Sequence, residues 1–150
     1  MEKLDNIKKF RDWKNNWTSK DSLGLIEYIS FNIHPDDVII LGNLFFPDFV
    51  EIEDSVFLSI NFDEDIYTQL RLKSEYNKED IEKTLNRIRV YDIFANCTDD
   101  VDEKVFEKVA ELLRQSWSNH LKYKFPKRKF CVELIINEYE YGPLLLIFQV

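Results

Sequence analysis

Glycine and proline are scarce, with 3 Gly and 4 Pro among 150 residues. That scarcity excludes a collagen-like or Gly-rich linker region, and no internal period recurs that would build a solenoid. Long apolar runs are missing as well: none approaches the roughly 18 residues of a spanning helix, and the Met1-Glu2-Lys3-Leu4-Asp5 start is too polar for a signal peptide. The expectation is a cytoplasmic protein with no membrane association. The two cysteines, Cys97 and Cys131, then read as free thiols, Cys131 as a small hydrophobe in the segment 130–134. Without a secretory signal the sequons at 16–18 and 96–98 carry no meaning.

The chemistry-bearing residue types are equally thin. Gly24, Gly42 and Gly142 are isolated, which excludes a Gly-rich phosphate loop and the common nucleotide-dependent reactions. There are two histidines, His34 before a proline and His120 in a long helical stretch, and no serine or cysteine shows a nucleophile signature. His120 fits a helix C-terminal position. Asn96, Thr98, Asp100, Asp102, Lys104 and Glu107 match a calcium-loop spacing, but Val101 stands where the turn requires glycine. No cofactor and no metal are expected.

What the chain has is charge, in separate blocks. Residues 1–20 carry six basic and three acidic side chains, whereas 21–50 carry none and five. The stretch from Asp21 to Glu103 holds a net −14 within a total of −8, a field that repels phosphate backbones and attracts cationic surfaces. Direct nucleic-acid binding is therefore not expected. The clusters Lys8-Lys9-Arg11 and Lys127-Arg128-Lys129 could each be a phosphate contact and read better as solvated edges.

Hydrophobic spacing predicts the elements. Leu4, Ile7, Phe10 and then Trp13 or Trp17 step by three to four, giving a helix over 3–14. Asp21 or Ser22 can cap a second helix carrying Leu25, Ile26, Ile29 and Ile33, although Leu25, Ile29, Phe31 and Ile33 also fit strand alternation. Pro35 with Asp36 and Asp37 is the start signal of a third helix, covering Val38 to about Phe45 and ended by Pro47. Between Phe49 and Asn61, alternation gives two antiparallel strands around a turn at Glu53-Asp54-Ser55. Residues 66–76 satisfy neither period. Asn77 caps a short helix carrying Ile81, Leu85 and Ile88, and 89–94 is a connector or a strand.

Asp100 with Glu103 starts the clearest helix, whose stripe runs through Val101, Val105, Val109, Leu112, Leu113, Trp117 and Leu121. Val109 and Leu113 belong to its core face. Phe130–Ile136 and Leu144–Val150 form a closing hairpin around a seven-residue loop. The fold class is α+β, helices on one face of an antiparallel sheet, with residues 1–150 read as one domain.

Aromatics make up 15% of the chain. Segments 44–50 and 137–142 set them beside carboxylates, a composition suited to a protein interface with apolar anchors and an acidic rim. The competing reading puts the first group in the core and makes the tyrosines solvent-tipped. The candidate partner-binding residues are Asp48, Glu51, Glu53, Asp54, Asp63, Glu64, Asp65, Tyr139 and Tyr141.

The run Leu44-Phe45-Phe46-Pro47-Asp48-Phe49-Val50-Glu51, then Val56-Phe57-Leu58, the long helix, and Phe125-Pro126 before a final hairpin resembles small bacterial proteins. Acidic chains of this kind resemble immunity proteins, which neutralise a cognate toxin, often a nuclease. The resemblance carries over no functional residue. It implies a non-enzymatic cytosolic inhibitor whose partner is a basic toxin domain. A small enzyme with an unrecognised site and an acidic regulator are the alternatives.

Overall fold

The computed structural model describes residues 3–73, 75–97 and 99–150; Thr98, part of the calcium-loop spacing and of a sequon, lies outside them. Contacts group the chain into two compact units, 1–42 and 43–150, where the sequence reading takes it as one domain.

The first unit is helical. A 3-10 turn at Leu4–Asn6 precedes α1 (Lys8–Asn15), followed by α2 (Leu25–Asn32) and the start of α3 (Pro35–Phe45). Phe10, Trp13 and Tyr28 pack with ring centroids 5.2–5.7 Å apart, and Trp17 meets Phe31 at 4.9 Å. The cap of α2 is Gly24, not Asp21 or Ser22: the Gly24 N–H donates to the Glu27 carboxylate at 2.8 Å. This half of a capping box holds the Glu27 carboxyl below its ordinary range.

The second unit is α+β. A hairpin, β1 (Phe49–Ile52) and β2 (Ser55–Leu58), is followed by α4 (Glu64–Leu72), α5 (Lys78–Leu85), β3 (Arg87–Arg89) and the single turn α6 (Val90–Ile93). Then come α7 (Glu103–Lys124), β4 (Phe130–Ile135) and β5 (Leu144–Gln149). Strands β3, β5 and β4 form an antiparallel sheet in that order, with Ile88 opposite Leu145 and Val132 opposite Ile147. One core lies between that sheet and α7, built from Leu113, Trp117, Leu121, Val132, Leu145 and Ile147. A second gathers Phe57, Tyr67, Leu70, Ile81 and Leu85 under the hairpin.

Several expectations change. Asp102 caps α7, its Oδ1 accepting the Lys104 N–H at 2.9 Å, because the cap oxygen must reach the second helical amide and Asp100 lies two residues too early. The stripe is narrower than the sequence implies. Ala110, Leu113, Trp117 and Leu121 are fully buried and Val109 is half-buried, but Val105 and Leu112 are 43% and 40% exposed. Val101 precedes the helix. Of the ambiguous segment, residues 66–72 belong to α4, capped by Asp63, whose Oδ1 accepts the Ile66 N–H at 2.9 Å. Ile88 sits in β3 because α5 stops at Leu85.

The reason it stops there is a polar seam. Glu82 and Asn86, one helical turn apart and so on one face, are fully buried. Strand β3 pairs only with residues 144–146 of β5, which leaves the Ile147 C=O and Gln149 N–H on that edge without a strand partner. Asn86 Nδ2 donates to the Ile147 O at 3.1 Å and the Val56 O at 2.9 Å, while its Oδ1 accepts the Leu58 N–H at 2.8 Å. Glu82 accepts the Gln149 N–H at 2.7 Å, the Val56 N–H at 3.1 Å and the Gln149 side-chain amide at 2.6 Å. Two side chains thus take the place of a missing strand between β2 and β5, satisfying amides and carbonyls that would otherwise be buried unpaired.

Candidate functional site

The acids expected to bind a partner fall at separate places in the second unit. Glu53 and Asp54 form the two-residue turn of β1–β2, with Glu53 in the left-handed region at φ 52°. Arg71 of α4 grips the Glu53 carboxylate with both terminal nitrogens, and this bond raises the arginine's pKa. Glu51 pairs with Arg128 at 3.0 Å. Asp63 is spent on the α4 cap, and Glu64 and Asp65 stand exposed in its first turn, where the helix dipole favours them. Asp48 is exposed, with its carbonyl accepting the Ser59 N–H.

The tyrosines lie elsewhere. In the β4–β5 loop Asn137 Oδ1 accepts the N–H groups of Tyr139 and Glu140, each at 3.0 Å, which folds residues 137–140 into a tight turn. Glu140 then receives Arg89 at 2.6 Å and Arg87 at 3.3 Å. The Arg89 hydrogen bond, more than any other contact, holds the Glu140 carboxyl below its usual range. Gly142 has φ 79°, and a Cβ there would lie 2.6 Å from the Tyr91 ring. Only glycine lets the loop come this close. Tyr141 stands edge-on to Tyr91 at 5.1 Å, and Tyr91 in turn to Phe106 at 4.8 Å. Tyr139 and Tyr141 remain 87% and 72% exposed.

Beside these rings is a depression of about 230 Å³ lined by Tyr91, Glu103, Glu107, Asn137, Glu138 and Glu140. Burial pushes the Tyr91 phenol up, and the charges of Glu103, Tyr141 and Glu107 push it further. Both α7 carboxylates therefore act on the phenol. Aromatic faces beside carboxylates suit an ammonium or guanidinium group, which gains from both.

Strand β5 sets the two groups apart. The Asp54 C=O accepts the Gln149 side chain at the strand's end, whereas Tyr141 precedes its start at Leu144. Six residues at about 3.4 Å each put roughly 17 Å between those ends. The carboxylates that line the depression are Glu103, Glu107, Glu138 and the arginine-bound Glu140, none of them among the expected binding residues. Their signal in the sequence is faint: Glu103 and Glu107 are one turn apart at the head of α7, a place that capping and dipole effects already explain.

The remaining candidates take structural parts. Phe45 and Phe49 pack against the core while Phe46 is 60% exposed. The ring Nε2 of His120 lies 3.1 Å from the Pro47 C=O, so that nitrogen carries the donated proton. Cys131 is half-buried, which raises its thiol pKa, and Cys97 is exposed; both are free. Among the described residues no group of three or more His, Cys, Asp or Glu could hold a metal ion, and no helix is long and apolar enough to cross a membrane. Comparison with protein-family models, with curated proteins and with solved structures finds no match to this chain.

Proposed function

We infer that this is a binding protein for a basic protein surface, and that it acts as an inhibitor, in the manner of the immunity proteins it resembles, by masking a cognate toxin domain. The observation that carries the reading is the β4–β5 loop end of the second unit. Two exposed tyrosines stand on a loop that Asn137 folds and the Glu140–Arg89 bond ties down, beside a depression lined with carboxylates. A lysine or arginine side chain fits its chemistry, and the tyrosines supply large apolar contact with little conformational entropy to lose. The second unit carries 14 basic and 21 acidic residues, which favours encounter with a cation over encounter with an anion.

The test is co-expression with the product of the adjoining gene, followed by kinetics on the purified pair. Co-purification with a basic protein whose toxicity the chain relieves supports the reading. Rim charges govern encounter and anchors govern release. Reversing the exposed Glu64 and Asp65 together should slow association and flatten its salt dependence, whereas Tyr139→Ala or Tyr141→Ala should speed dissociation. An acidic partner overturns the reading. So does an association rate indifferent to salt between about 50 and 500 mM, over which the Debye length falls from roughly 14 to about 4 Å.

A further inference from the structure

The first unit presents a surface that its own residues do not cover. Ile26, Phe31, Val38, Ile39 and Ile40 are 53–71% exposed, and Leu25, Ile29, Ile33 and Leu41 are exposed by 36–50%. In α3 the exposed positions 38–41 are consecutive, so the apolar surface wraps the helix and does not form a single stripe. A helix that is hydrophobic all round belongs in an interior. Monomers rarely leave more than a few hundred Å² of contiguous apolar surface in water. Nine large side chains exposed to this degree offer on the order of 800 Å², which is what one partner contributes to a stable interface.

We propose that residues 25–33, which are α2 and its C-cap, and residues 38–41 of α3 are a homodimer face, covered by the same segments of a second copy. Charge selects that occupant. Residues 1–20 carry six basic and three acidic side chains, and 21–42 carry four acidic and none basic. A two-fold contact brings each surface of one copy against its complement on the other, twice over, so the basic α1 segment of one copy can face Asp36 and Asp37 of its partner and the reverse. With six basic and seven acidic residues, two copies of the first unit hardly repel. An anionic bilayer would be repelled by the acids that flank this face, and a basic partner would meet the lysines of α1.

Sedimentation velocity on the full chain from about 1 to 100 µM at roughly 0.1 M salt, the range in which surface charges still act, should show a monomer–dimer equilibrium. The exposed pair Ile39→Glu and Ile40→Glu should abolish the dimer and leave the far-ultraviolet circular dichroism unchanged. Lys8→Glu with Lys9→Glu should weaken the dimer at least tenfold. A chain that stays monomeric at 100 µM overturns the proposal, as does a dimer untouched by the Ile39 and Ile40 changes. A monomer that floats with phosphatidylcholine vesicles assigns the face to a bilayer surface instead. The outcome is independent of the basic partner inferred above, which concerns only the second unit.

Discussion

The seam of Glu82 and Asn86 makes a prediction in which shape is held constant while hydrogen-bond polarity and formal charge change. Glu82 meets donors alone, two backbone N–H groups and one side-chain amide, whereas Asn86 offers its oxygen to one N–H and its nitrogen to two carbonyls. In Glu82→Gln one acceptor becomes an NH2 pointed at N–H donors, so a buried amide loses its partner at a cost of about 1–3 kcal/mol. In Asn86→Asp the second oxygen faces the Val56 and Ile147 carbonyls, and two acceptors lose their donor at a cost of roughly 2–6 kcal/mol. Against the ~5–15 kcal/mol that holds a typical domain together, either loss is readily measured. Both changes are isosteric, so no cavity term enters. Urea unfolding should be followed by the fluorescence of Trp117, fully buried in the second unit, with Trp13 and Trp17 changed to Phe so that no other of the three tryptophans contributes. Because both residues bond Val56, the double variant should depart from additivity by about 0.5–3 kcal/mol. Midpoints within about 0.5 kcal/mol of the parent for both single variants, the usual effect of an ordinary surface change, would refute the view that these side chains join the two sheets.

Leu113→Ala, at a fully buried position facing the sheet, should lower stability by about 2–5 kcal/mol in the same assay. Gly142→Ala combines a left-handed backbone with a Cβ thrust into the Tyr91 ring. It should cost about 1–3 kcal/mol and shift the Tyr91 and Tyr141 ring resonances while leaving those of the hairpin turn in place. Arg114 and Gln115 hold the Glu111 carboxyl at about 2 against an ordinary 4.5, with the Arg114 hydrogen bond dominant. A depressed carboxyl stabilises the fold above its unfolded pKa and loses that contribution as pH falls from 4.5 toward 2. Glu111→Gln should therefore shrink the acid-induced loss of stability in that window, by no more than about 1 kcal/mol since the pair is solvent-exposed. Burial and the α7 carboxylates raise the Tyr91 phenol, so Glu103→Gln should bring its spectrophotometric titration back toward the ordinary value of about 10.

The elements legible in the sequence are those whose cause is local. Helix α5 begins at Asn77, whose side chain and that of Asp80 cap each other's amides; such reciprocity is written in the spacing of three residues. The closing hairpin follows from two β-rich runs and a break, and α3 from Pro35 followed by two acids. Elements whose cause is distant stayed hidden. Nothing near residue 86 says that α5 must end there, because Asn86 answers to Val56, Leu58 and Ile147. A buried glutamate on a short helix likewise reads as solvent-facing until the second sheet is in place. The width of the α7 stripe depends on the same information, since only the packed sheet decides that Leu113 lies inside and Leu112 does not.

Charge counting met a different limit at the candidate site. Residues 51–103 carry fifteen acids, and a count treats them alike, yet their surroundings divide them. Asp63 and Asp80 cap helices, Glu51, Glu53 and Glu79 lie in ion pairs, and Glu82 is inside the fold. Acids engaged in this way still contribute to the long-range potential, because an ion pair moves charge very little. They are poor direct contacts, since a partner would have to break an existing bond before making its own. Long-range attraction and close contact are therefore assigned to different residues: the whole acidic surface does the first, whereas the second falls to carboxylates that line open space beside rigid aromatic rings. In the second unit Glu103, Glu107 and Glu138 meet that description beside Tyr91, Tyr139 and Tyr141. Two of these acids come from the head of α7 and one from a loop that follows it by more than ten residues, so their juxtaposition is a product of the fold and has no counterpart in any window of the sequence.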